Sequence, residues 1–331
     1  MSHFTVLVIG DNHEAALAPF QENNMGDCPA EYMAFNDMED EYREEYEKES
    51  RRMIELADGS RESPYDKRFK NPAHNIFRSN RETPEWIYPA GHREVEVPHR
   101  ECYTTIEEFA KDWHGAERDE DKGRFGYWEN PNAKWDWYQV GGRWSGLLKL
   151  KPGTRGLTGE AGLMGSHHAK GDDRADQARK RDIDFDGMRA EAEAKAREKW
   201  SHCRSIVGAF LWESWEHVRE VRCKGDIEAA RTFYNAQPSV VKLKQADRDR
   251  YGWDLDDKLA WSLDNYIQQA RDCAGVTFAV LHEGKWHERG EMGWWACVSN
   301  EKPEGQWERE FAKLLDGLPD DALLTVVDCH I

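Results

Sequence analysis

Two apolar runs, one at each end of the chain, limit the possible folds more than any other feature. "HFTVLVI" at 3–9 and "LLTVVDCHI" at 323–331 are dense in strand formers, yet both carry polar side chains toward the chain's ends. Side chains alternate along a strand, so His3 and Thr5 share a face with Leu7 and Ile9, and Asp328 and His330 share one with Leu324 and Val326. Antiparallel pairing of the two runs in register would set His3 opposite His330 and Thr5 opposite Asp328. A slip of one residue would set the polar pair against Phe4 and Val6. The aligned register is favoured because each polar group then finds a partner. Directly opposed Cβ atoms lie about 4.5–5.5 Å apart, close enough for two imidazoles and a carboxylate to share a proton or to hold one divalent metal ion through His3, Asp328 and His330.

The remaining segments alternate between helix and strand patterns, which gives an α+β class with strand-helix-strand units at both ends, and a ferredoxin-like arrangement of the terminal segments is expected. The expected organisation is a single domain over 1–331. Its sheet core comes from 1–20, 93–151, 205–225 and 275–331. A helical and irregular excursion covers 35–92, a glycine-rich loop and charged helix cover 152–200, and a helical segment covers 226–273. In detail, 35–59 reads as one solvated helix, "YTTIEEFAKDWHG" as a capped helix, and "SIVGAFLW" and "GWWACV" as strands. "KWDWYQVGGRWSGLLKL" reads as a hairpin turning at Gly141 and Gly142, with Trp135 and Trp137 on one face. "TFAVLHEGKWHE" reads as a hairpin turning at Glu283 and Gly284.

A formal net charge of -18 with 33% charged residues opposes bulk binding to DNA or RNA. No apolar run approaches the roughly 18 residues a membrane helix needs, and the N-terminus lacks the pattern of a secretion signal, so a cytosolic location is expected. Seven scattered cysteines without a CxxC pair argue for free thiols rather than disulfides or a thiolate zinc site.

Glycines at every third position from Gly153 to Gly165 resemble a collagen triplet but span only four repeats, so a mobile loop is the better reading, and the segment lacks the ending of a P-loop. It could act as a lid carrying His167, His168 and Lys170 over the sheet. "DIDFDGMRAEAE", 182–193, fits a calcium-loop pattern, but Arg189 stands where that loop needs an apolar residue, which favours carboxylates gathered at a helix N-terminus. Trp135 and Trp137 could form an aromatic platform for a base or sugar ring, with Arg143 facing a phosphate, or could simply pack in a core.

"HFTV" resembles half of the signature of the two-histidine phosphoesterases, in which two His-apolar-Ser/Thr-apolar motifs on paired strands handle a phosphodiester. The second copy is missing: "DCHI" ends too soon and "HCRS" at 202–205 has the wrong spacing. "MSHFTVLVIGDN", "NPNAKWDWYQVGGRWSG", "DIDFDGMR" and "LLTVVDCHI" together resemble a group of uncharacterised accessory proteins of tailed bacteriophages and prophages. That resemblance implies a viral protein working in the bacterial cytosol. The expectation is a hydrolase or transferase, with or without a divalent metal, acting on a small nucleotide-like molecule through His3, Thr5, Asp328 and His330. The alternative is a non-catalytic acidic protein that sequesters a host factor.

Overall fold

The computed structural model describes residues 2–74, 83–168, 171–208, 212–246 and 255–331. Two compact units account for the chain: Met1–Asp27 with Asn132–Ile331, and Cys28–Pro131. The excursion read over 35–92 lies inside the second.

The first unit is built on a mixed seven-stranded sheet. Its path runs from Lys285–Glu288 through Ala279–His282, His3–Ile9, Leu323–His330 and Trp137–Gly142 to Glu160–Ala161, and Gln177–Arg179 also pairs with Leu323–His330. The terminal strands are central because both are apolar on both faces. Leu7, Ile9, Leu324 and Val326 pack with Trp307, Phe311 and Met188 on one side, and Phe4, Val6, Val8, Val327 and Cys329 pack with Leu17, Phe20, Trp135 and Leu281 on the other. Their pairing is antiparallel, with His3 opposite His330 and Thr5 opposite Asp328. This is the register that polar-group matching demands. The first strand also runs parallel to Ala279–His282, whose hairpin turns at Glu283 and Gly284, both at positive φ.

On its other edge the last strand is shared. Trp137–Gly142 pairs with its Val327–His330 half and Gln177–Arg179 with its Leu323–Thr325 half. Val326, between the two, donates its N–H to the Asp176 carbonyl at 2.7 Å, so the ladder is completed by a residue outside any strand.

Several sequence expectations are corrected. Gly141 and Gly142 do not turn a hairpin: the strand runs through them, and Leu148–Lys149 pairs instead with Arg174–Ala175. "SIVGAFLW" does not form the expected strand. The helix Phe185–Val207 runs into it and ends at Gly208 (φ 66°), because Ala196, Cys203 and Val207 form a helical stripe that packs with Trp212; residues 209–211 lie outside the described residues. "GWWACV" forms a tight turn at Trp294–Ala296 rather than one strand, with Trp295 at φ 62°. The acidic stretch 182–193 acts as a helix cap: Asp184 accepts the Gly187 N–H at 2.9 Å at the start of the helix Phe185–Val207.

In the second unit the single helix expected over 35–59 is divided into a strand Ala34–Asp37, a helix Glu39–Lys48 and a strand Ser50–Glu55. The last of these pairs with Arg93–Pro98, and burial of Ile54 and Val97 outweighs the helical propensity of the segment. The helix Ile106–Trp113 is capped as expected, with the Thr105 hydroxyl accepting the Glu108 N–H and Glu108 Oε2 accepting the Thr104 N–H. No helix among the described residues is long and apolar enough to cross a membrane.

Candidate functional site

Where the helix-covered face of the central strands runs out of aliphatic residues, two rows of polar and aromatic side chains cross the sheet. One row is Trp137, His330 and His3, and the next is Gln139, Asp328 and Thr5. Register alone brings them together, since each residue sits opposite its neighbour on the adjoining strand.

Each imidazole is held by a carboxylate. His3 Nδ1 lies 2.8 Å from Asp328 Oδ1, and His330 Nδ1 lies 2.6 Å from Asp136 Oδ1. A carboxylate accepts, so each ring donates through Nδ1–H and leaves Nε2 as the reactive nitrogen. The rings are 5.0 Å apart, centroid to centroid, at 72°, and His3 also meets Trp137 edge-on at 6.3 Å. His330 Nε2 is buried and has no hydrogen-bond partner among the described residues, an arrangement that costs free energy.

The carboxylates are themselves positioned. Asp328 is 1% exposed, and its second oxygen accepts the Arg143 backbone N–H at 2.9 Å. This contact explains the glycine pair. Gly142 has φ +54°, and a Cβ there would lie 2.3 Å from both Asp328 Cβ and Oδ2. A Cβ on Gly141 (φ +81°) would lie 2.5 Å from Asp176 Oδ2. Asp176, fully buried, accepts from Ser145 Oγ, Gly146 N and Gly159 N, and so ties the glycine-rich segment to the strand. Asp136 accepts from Asn24 Nδ2 at 3.0 Å through its other oxygen. Burial raises the Glu22 carboxyl above its ordinary value; the Asp136 carboxylate adds to this and His330 opposes it. Burial and the charge of Asp328 push the Cys329 thiol well up, so this neighbour is no thiolate nucleophile.

These groups open into a cleft of about 920 Å³. His3, His330, Asp328, Gln139 and Trp137 line it from the central strands, and Arg143 with its neighbours Glu160, Ala161, Gly162, Leu163 and Met164 of the glycine-rich segment completes the lining. The Arg143 guanidinium has no hydrogen bond or ion pair among the described residues.

The structure therefore gathers His3, Asp328, His330, Trp137 and Arg143. Thr5 is aligned with them, but its hydroxyl accepts the Phe278 N–H at 3.1 Å and does not line the cleft. Trp135 does not share a face with Trp137. It precedes the strand and lies in the core, donating Nε1–H to the Leu17 carbonyl. His167 and His168 do not line the cleft either. The His167 N–H bonds the Arg143 carbonyl and its ring meets Trp144, while the His168 N–H bonds Ser166 Oγ and burial lowers its imidazole. Lys170 lies outside the described residues. Among the described residues no group of three or more His, Cys, Asp or Glu side chains is placed to hold a metal ion. Sequence reasoning missed Asp136, Asp176, Leu163 and Met164. The only available signal was Asp136 set between two tryptophans.

Comparison with family models, with curated proteins and with solved structures yields no match to this chain.

Proposed function

We propose that the cleft is the active site of a hydrolase or transferase that uses general acid-base catalysis on a phosphate ester of a small, nucleotide-like molecule. The observation that carries this reading is the pair of imidazoles 5.0 Å apart, each with Nδ1 occupied by an aspartate. Such backing sets the tautomer and stabilises the imidazolium that forms when Nε2 takes a proton. In the reaction, one Nε2 removes the proton of a water or hydroxyl as its oxygen bonds to phosphorus. The phosphorus bond to the leaving oxygen breaks with its electron pair, and the other imidazolium protonates that oxygen. The Arg143 guanidinium would neutralise the phosphoryl oxygens. A metal-assisted version would draw on His3 Nε2, His330 Nε2 and the Asp328 lone pairs that its two hydrogen bonds leave over, since both Nδ1 atoms are engaged. The setting proposed for this chemistry, in keeping with the resemblance to phage accessory proteins, is an infected bacterial cell.

The test is turnover of a panel of mononucleotide esters and cyclic nucleotides by purified protein, with and without a chelator. Turnover with a bell-shaped pH dependence is expected, unaffected by chelation, and His3→Gln or His330→Gln should lower it about 10²–10⁴-fold. Stoichiometric retention of a ligand or a host protein without turnover, or full activity in both variants, overturns the acid-base reading.

A further inference from the structure

Among the described residues of the first unit, the most exposed large apolar side chains stand at the cleft. Leu163 is fully exposed and Met164 is 92% exposed, and both line it. They form the tip of a tight turn closed by the Gly165 N–H on the Gly162 carbonyl at 2.8 Å, with Gly165 at φ +85°. The root of this turn is held firmly. Glu160 and Ala161 pair in parallel with Gly141 and Gly142, and Gly159 approaches Val140 so closely that a Cβ would lie 2.2 Å from its carbonyl oxygen. A fastened root with a bare apolar tip holds two hydrophobic side chains in water at the cleft that Trp137 also lines.

The cleft is polarised. Arg143 is the one permanent cation among its described lining residues, beside the carboxylates Glu160 and Asp328, so it matches a single phosphate better than a polyphosphate. Gln139 and Glu160 offer acceptors for hydroxyl groups. The apolar tip and Trp137 offer contact to a flat ring, and an unbranched thioether adapts to its faces.

We propose that this turn is the specificity element of the cleft, and that Leu163, Met164 and Trp137 bind the base of a nucleoside monophosphate whose phosphate meets Arg143. The inference deepens the acid-base reading and rests on it for the location of the phosphate, but it is tested by binding rather than turnover. Isothermal titration of the full chain with each of the four common nucleoside 5′-monophosphates, a nucleoside triphosphate and ribose 5-phosphate reads it directly. At least one monophosphate should bind ten- to a hundredfold more tightly than ribose 5-phosphate, the span of base-aromatic stacking, and more tightly than its triphosphate. Leu163→Ser with Met164→Ser should weaken that monophosphate about tenfold or more and leave ribose 5-phosphate unchanged. Both side chains are exposed, so the variant should keep the wild-type melting temperature. Arg143→Ala should weaken both ligands. Equal affinity for every monophosphate and ribose 5-phosphate, or an unchanged monophosphate affinity in the tip variant, overturns the inference. Tight, tip-dependent binding with no turnover of any ester would support the inference and sink the acid-base reading, whereas turnover without preference for a base would do the reverse.

Discussion

The closest approaches in the site are made by residues without side chains. Gly142 combines a left-handed φ of +54° with a carboxylate packed against its α-carbon, whereas Gly153 has a comparable φ of +80° and nothing within 4 Å of where its Cβ would stand. The two positions therefore separate backbone strain from steric contact. Gly153→Ala should cost about 1 kcal/mol, the penalty for an L-residue in the left-handed region. Gly142→Ala should cost the same backbone penalty of about 1 kcal/mol and a further amount for displacing Asp328, which is held through both its oxygens. Paired melting curves and assays check this: the Gly153 variant should keep full activity, and the Gly142 variant should lose both melting temperature and activity. Equal effects at the two positions would mean that Asp328 is free to move. The same pair shows where sequence reading stops. Two adjacent glycines announce an unusual backbone, but not whether it bends into a hairpin or makes room for a carboxylate brought from 186 residues away.

Within elements, alternation was the legible signal and tertiary partnering the illegible one. The register of the terminal strands is legible in the sequence because a one-residue slip would set Asp328 and His330 against Phe4 and Val6, whereas the aligned pairing sets His3 opposite His330 and Thr5 opposite Asp328. Asp136 and Asp176 could not be found this way, since loops carry them to the sheet and no period marks a loop. Segment 35–59 shows the opposite failure: charges at helical spacing concealed a strand that exists only because Arg93–Pro98 lies beside it. The turn that follows that strand pair sets up a pH-sensitive core. His99, in the short helix His99–Cys102, is 1% exposed between Phe109 and Trp113, and its Nδ1 has no hydrogen-bond partner among the described residues. Burial lowers its imidazole below the ordinary value, with the nearby Glu45 charge opposing. With the folded value below the unfolded one of about 6.5, the neutral form contributes its full stability above pH 6.5, and this is lost as pH falls through the folded value. His99→Phe removes the titrating group while keeping a ring there. Urea midpoints at pH 7.5 and pH 5 should fall less for the variant than for the wild type, and equal falls would show that His99 does not titrate against the fold.

At the scale of the molecule, the second unit is an insertion into the first, and the points of departure and return are neighbours within the first unit. Glu22 donates its N–H to the Trp135 carbonyl at 2.7 Å, Lys134 donates its N–H to the Phe20 carbonyl at 2.8 Å, and Asn24 bonds Asp136. The chain thus leaves and re-enters the first unit beside itself, so a short bridge can close it at a small entropic cost that grows only slowly with loop length. The inserted residues carry their own core of Tyr42, Phe109, Ala110 and Phe125, and their own half-buried ion pair, Glu39 with Arg118. Every residue of the acid-base proposal, and every described residue lining the cleft, belongs to the first unit. Replacing residues 28–131 by a short glycine-serine bridge should therefore give a protein that unfolds cooperatively and binds nucleoside monophosphate within a few-fold of the full chain. Circular dichroism in the near ultraviolet during a urea titration reports the packing, and isothermal titration reports the cleft. A shortened chain that folds but loses ligand affinity by tenfold or more would assign the inserted unit a part in recognition. One that collapses without fixed aromatic packing would show that the sheet of terminal strands does not stand without it.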